Sequence, residues 1–98
     1  RPLTRIPVYS GAVAALSNFT QWLAVHFARA GIRVNAIAPG FVRTDMTADL
    51  DEAELKKQIP PGRFCEAAEV ADLAMFLISE QASYITGEVI SINGGLYT

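Results

Sequence analysis

The sequence predicts an α/β fold, and within it one half of a doubly wound parallel sheet. Three observations point there. The stretch from Tyr9 to Ala30 permits helix throughout and carries apolar residues at helical spacing. A short, partly β-branched run, Ile32 to Ala38, follows at once and stops at Pro39-Gly40. A second amphipathic helix, Glu66 to Ser79, precedes a second short strand, Glu88 to Ile92. Helices alternating with short strands define the α/β class. A strand reached through a long helical crossover lies parallel to the one before it. At roughly 30 residues per β–α unit, a six-strand sheet needs about 150 residues or more. The 98 residues here therefore read as the C-terminal half of such a sheet.

Each element has a local cause. Residues 1–8 hold Pro2 and Pro7 and read as a loop. In the helix Tyr9–Ala30, Leu16, Phe19, Leu23 and Phe27 form one apolar stripe, and Ala15, Trp22 and Val25 a second. A helix apolar on two sides is expected to be covered on two sides, by a sheet and by something else. Gly31 ends it as a C-cap glycine would. Ile32–Ala38 reads as a buried strand, and Phe41–Leu50 as a loop or short turn. Asp51 with Glu54 has capping-box spacing and opens a small helix through Gln58, which Ile59-Pro60-Pro61-Gly62-Arg63 breaks. In Glu66–Ser79, Val70, Leu73, Ala74, Leu77 and Ile78 share a face, while Glu66 and Glu69 sit at the end where the helix dipole favours carboxylates. Ile85-Thr86-Gly87 is a turn, and Asn93-Gly94-Gly95 stops the last strand.

Composition narrows the function. A formal net charge of -2 lacks the basic excess of a nucleic-acid-binding domain and offers no polybasic membrane anchor. No run of 18 or more residues is free of polar breaks, so no transmembrane helix is expected. Arg1-Pro2-Leu3-Thr4-Arg5 does not read as a signal peptide. The single cysteine, Cys65, forms no internal disulfide and fits a reducing cytoplasm. It precedes a helix N-terminus, which can lower a thiol pKa, but reads better as a small pre-helix residue. His26 has no second His or Cys at ligand spacing, so it reads as a packing residue and no metal site is expected. Lys56-Lys57 with Asp51, Glu52 and Glu54 read as a solvated helix face. A mean hydropathy of +0.26 is high for so short a chain and implies faces covered by further chain or by partner subunits.

Val8-Tyr9-Ser10-Gly11-Ala12-Val13-Ala14-Ala15-Leu16 resembles the active-site helix of the short-chain dehydrogenases/reductases. Gly31-Ile32-Arg33-Val34-Asn35-Ala36-Ile37-Ala38-Pro39-Gly40 is similar to the strand and turn that follow it there, and Thr44-Asp45-Met46 to the family's Thr-x-Met segment. Pro61-Gly62-Arg63-Phe64, Glu69-Val70-Ala71, Tyr84-Ile85-Thr86-Gly87 and Asn93-Gly94-Gly95 complete the order, so the resemblance covers essentially the whole chain. Within the family, Pro60–Tyr97 looks most like 3-oxoacyl-carrier-protein reductases. Arg1–Phe41 looks more like sugar-acid members acting on mannonate or fructuronate.

The resemblance implies a Rossmann-like fold and NAD(P)-dependent interconversion of a carbonyl and an alcohol, with NADP favoured slightly over NAD. Tyr9 would be the general acid that protonates the alkoxide. A free phenol has a pKa of about 10 and works best when pulled toward the operating pH. The family does this with a lysine four residues on, one turn away on the same face. Here that position is Val13, which has neither charge nor donor. Pro39, Gly40, Val42 and Thr44 would meet the nicotinamide end of the cofactor, and residues 41–60 would form a mobile substrate loop. The family's serine and its glycine-rich pyrophosphate loop would precede Arg1. The resemblance also implies a cytoplasmic homotetramer built through helices 9–30 and 66–79 and strand 88–92. The expectation is therefore the C-terminal part of one domain, 1–98, inactive by itself on a small-molecule carbonyl substrate. The rival expectation is a non-enzymatic remnant that only assembles.

Overall fold

A computed structural model describes residues 6–44 and 52–96, with the side chains of 11–44 and 52–96. The chain opens with helix α1, Ile6–Phe27, and one 3-10 turn, Ala28–Ala30. Strand β1, Ala36–Pro39, and the short β2, Val42–Arg43, follow. Helix α2, Glu52–Lys56, precedes the short strand β3, Cys65–Glu66, and helix α3, Ala67–Leu77. A 3-10 turn, Glu80–Ala82, leads to strand β4, Val89–Ile92. The helix–strand–helix–helix–strand order is the one expected, and β1 and β4 pair in parallel from Ala36↔Val89 to Pro39↔Ile92. The strand expected before α1 lies outside the described residues. So does Asp51, and with it the proposed Asp51–Glu54 cap.

Several boundaries differ, each for a physical reason. The helix begins at Ile6, not Tyr9, so Pro7 lies inside it rather than in a loop. The first N–H groups of a helix have no intrahelical partner, so proline costs little there. Gly31 closes the helix as expected, in the left-handed region at φ 76°. The first strand is shorter than expected: the Ile32 amide turns back to the Phe27 carbonyl, and at Val34 and Asn35 side-chain bonds stand beside the backbone ladder. The Val34 amide donates to Thr86 Oγ1 at 3.0 Å. Asn35 donates from Nδ2 to the Ile85 carbonyl at 2.9 Å and accepts from the Glu88 amide at 3.1 Å. The loop expected at 41–50 contains β2, which pairs in parallel with β3. At the start of α3 the Glu66 amide donates to Glu69 Oε1 at 2.9 Å, so both glutamates sit where the dipole argument placed them.

The second helical face is exposed in this chain, and the first is only partly covered. Leu16 and Leu23 are half-buried, but Phe19 and Trp22 are each 61% exposed and Val25 is 78% exposed. What α1 lays on the sheet is its small side: Thr20 and Ala24 are buried, and a Cβ built on Gly87 would meet Ala24 Cβ at 3.5 Å. Small residues allow that approach, and the bulky aromatics are turned outward. On α3 the expected face is partly or fully covered through Leu77, whereas Ile78, at the C-cap, is 73% exposed.

The main buried cluster is not between helix and sheet. Ile59, Phe64 and Leu96 form it, with Phe41 and Leu55 packed against them. Phe64 is fully buried and stacks on Phe41 with ring centroids 5.4 Å apart. Among the described residues, the segment expected to be a mobile loop thus contributes Phe41, Leu55 and Ile59 to this buried cluster.

Candidate functional site

Parallel α/β sheets bind ligands beyond the carboxyl ends of their strands. Here that edge is built where β1 and β4 end together, at Pro39 and Ile92. One residue further, the Gly40 amide donates to the Ile92 carbonyl at 3.0 Å. Pro39 is exposed and Gly40 half-buried, so the turn presents one side to solvent. The Phe41 carbonyl accepts from the Cys65 amide at 2.9 Å, and Val42 pairs with Cys65. These bonds carry the chain outward to Thr44, which is exposed. Pro39, Gly40, Val42 and Thr44 are thus gathered at one edge.

Tyr9 is the fourth residue of α1, at the close of its first turn. Ala24 packs at Gly87, just before β4 begins. From Ala24 back to Tyr9 the helix runs about 22 Å, and from Gly87 to Ile92 the strand runs about 16 Å. The chain reverses at Gly31, so α1 returns along the sheet and brings Tyr9 toward its carboxyl edge. The Tyr9 side chain lies outside the described residues. Val13, one turn on, is half-buried and apolar.

A cleft of about 180 Å³ opens beside the turn, among Phe41, Ile59, Cys65, Ile92 and Asn93. Its polar wall is an ion pair: Arg63 Nη1 donates to Glu69 Oε1 at 2.8 Å and Nη2 to Oε2 at 3.0 Å. With the Glu66 amide as a further donor, this pair holds the Glu69 carboxyl down at about 2. Burial pushes the Cys65 thiol up, and the Glu69 charge adds to it. This is the opposite direction to the one a helix terminus alone would give. Next to Thr44, Arg43 pairs with Glu52 at 3.1 Å and Glu66 at 3.6 Å, and Lys56 pairs with Glu52 at 2.9 Å. Lys56, adjoining Lys57, is therefore tied into this network rather than merely solvated. His26 stacks on Trp22 at 5.1 Å. Among the described residues no His, Cys, Asp or Glu cluster could hold a metal, and no helix is long and apolar enough to cross a membrane.

Two structural features escaped the reading of the sequence. Arg33 Nη1 donates to the carbonyls of Leu77 at 2.7 Å and Ile85 at 3.2 Å, and Nη2 to Ser79 at 3.4 Å. It thereby satisfies the Leu77 carbonyl, at the end of α3 where carbonyls lack helical partners, and ties it to Ser79 and Ile85. The polar Arg33 and Asn35 inside a β-branched run were the available signal. The other feature is Asn93, against which Gly40 packs.

The family model described as Enoyl-(Acyl carrier protein) reductase matches residues 2–97. The chain is similar to the 3-oxoacyl-acyl-carrier-protein reductase FabG of Aquifex aeolicus, 53% identical over 91% of this chain and 37% of that protein. The 3-oxoacyl-acyl-carrier-protein reductase of Homo sapiens is likewise 53% identical over 91% of this chain and 37% of its own length. The crystal structure of the Brucella melitensis 3-oxoacyl-acyl-carrier-protein reductase superposes with a TM-score of 0.83 at 40% identity, over 92% of this chain and 35% of that one. The chain thus spans little more than a third of these relatives, 37% for the first two.

Proposed function

Since the chain belongs to the short-chain dehydrogenase/reductase family of NAD(P)-dependent oxidoreductases, we propose that it is the C-terminal part of a reductase that delivers hydride from NADPH to a 3-oxoacyl thioester. The observation that carries this reading is the shared carboxyl edge of β1 and β4, which sets out Pro39, Gly40, Val42 and Thr44 as one surface. In this reading Pro39 and Gly40 support the nicotinamide ring, and Val42 and Thr44 meet its carboxamide. The cofactor supplies the hydride, and Tyr9 supplies a proton to the alkoxide oxygen. The relatives named above favour a 3-oxoacyl substrate over the sugar acids. NADPH rather than NADH follows the family resemblance, which favours NADP slightly.

Val13 governs what the segment does by itself. Val13 supplies no ammonium one turn from Tyr9, and in this reading the 98 residues alone are catalytically silent. The accessible surface of 6824 Å² supports further covering, because a folded monomer of this mass exposes about 5,500 Å². Exposed Trp22 and Val25 on α1, and Met75 and Ile78 by α3, mark where subunits or the rest of the domain would pack, as in a cytoplasmic homotetramer. The same faces favour a second reading, in which the chain serves only assembly.

The test is NADPH oxidation with a 3-oxoacyl thioester, using the full-length protein with Val13 and with Val13→Lys. Activity that rises with lysine supports Tyr9 as the acid. No rise, with NADPH still bound, overturns that role and leaves the assembly reading.

A further inference from the structure

We propose that Asn93 is a positioning residue for the Pro39-Gly40 turn, acting through direct contact with Gly40. The inference rests on the reading of that turn as the nicotinamide support. A Cβ built on Gly40 would lie 2.9 Å from Asn93 Cβ and 3.0 Å from Asn93 Cα. Neighbouring strands normally stand about 4.8 Å apart. A side chain at position 40 would therefore collide with Asn93, and glycine lets the turn lie directly against it. The Gly40 amide is tied to Ile92, the residue before Asn93, so the turn cannot move away from its neighbour without breaking a bond.

Asn93 is itself fixed from the other side. Its Oδ1 accepts the Gly95 amide at 2.9 Å, and its carbonyl accepts the Leu96 amide at 3.1 Å. Leu96 is 4% exposed and belongs to the cluster with Ile59 and Phe64. A Cβ built on Gly94 would meet Ile59 Cγ2 and Pro61 Cγ, each at 3.1 Å. The turn therefore takes its place from the main buried cluster by way of Asn93. The side-chain bond from Gly95 is the part a substitution can remove without touching the backbone.

The experiment compares Asn93→Ala, which loses that acceptor, with Asn93→Asp, which keeps one. In the full-length protein, titration calorimetry gives the Kd of NADPH and of adenosine 2′,5′-bisphosphate, a probe of the cofactor's other end. Asn93→Ala is expected to weaken NADPH on the order of tenfold, with the bisphosphate within twofold and Asn93→Asp close to wild type. Equal weakening of both ligands, or of neither, overturns the proposal. In the 98-residue chain, hydrogen exchange at the Gly40 amide reads the buttress without any ligand. Faster exchange in Asn93→Ala than in Asn93→Asp supports it, and equal exchange overturns it. Wild-type protein that fails to bind NADPH while the exchange difference stands refutes the nicotinamide reading and keeps the buttress.

Discussion

Replacing Phe64 by alanine tests where this chain keeps its stability. The side chain is fully buried, between Ile59 and Leu96, and stacks on Phe41. Burying a phenylalanine removes about 150–200 Å² of apolar surface from water, or about 4–5 kcal/mol at 25 cal/mol per Å². Alanine keeps about 1 kcal/mol of that, while the lost stack adds about 1 kcal/mol and a residual cavity somewhat more. The net cost is about 4–5 kcal/mol, close to the whole stability of a small domain, about 5–15 kcal/mol. Urea unfolding followed by far-UV circular dichroism reads it, because α1 dominates the helical signal. With m near 1 kcal/mol per M, the midpoint falls by about 4 M, which abolishes the folded baseline. Trp22→Ala is the control: a larger ring is deleted, but from a position 61% exposed, so it costs about 1 kcal/mol or less in the isolated chain. Phe64→Ala that costs no more than Trp22→Ala would falsify the placement of the core beneath residues 52–64.

Other consequences can be measured on the same material. Arg33→Ala strips charged donors from the carbonyls of Leu77, Ser79 and Ile85 and should cost about 2–3 kcal/mol in urea unfolding. Arg33→Lys should restore less than half of that, since a point ammonium cannot fork to all three, and full restoration would contradict the clasp. Glu69 has its carboxyl pKa depressed to about 2 from 4.5 by Arg63 and the Glu66 amide, so its stabilisation is complete above pH 4.5 and is lost as pH falls toward 2. Glu69→Gln should therefore lower stability at pH 7 and flatten its fall between pH 4.5 and 2. An unchanged slope would show that the pair does not form.

The sequence was most legible where structure is local. Gly31 ended the first helix in the left-handed region, Glu66 and Glu69 opened α3, and Pro39-Gly40 closed β1, because each signal lies within a few residues of its effect. The candidate site was legible as a list, since Pro39, Gly40, Val42 and Thr44 are nearly contiguous. What faces them was not. Asn93 reaches Gly40, Arg33 reaches Leu77 and Cys65 reaches Phe41 across intervening helices and strands. Periodicity also assigned apolar faces to α1 without saying which one meets the sheet.

By itself, then, the sequence determined the fold class, the order of elements and the turn that ends β1. It also determined that valine stands one turn after Tyr9. The tertiary structure decided that small Thr20 and Ala24, not Phe19 and Trp22, meet the sheet. It decided too that Phe41, Leu55 and Ile59 are core, and that Gly40 is glycine because Asn93 occupies the space a side chain would need. The physical reason is reach. Backbone propensity and capping act over one or two helical turns, whereas close packing is settled by side chains distant in sequence that compete for the same volume.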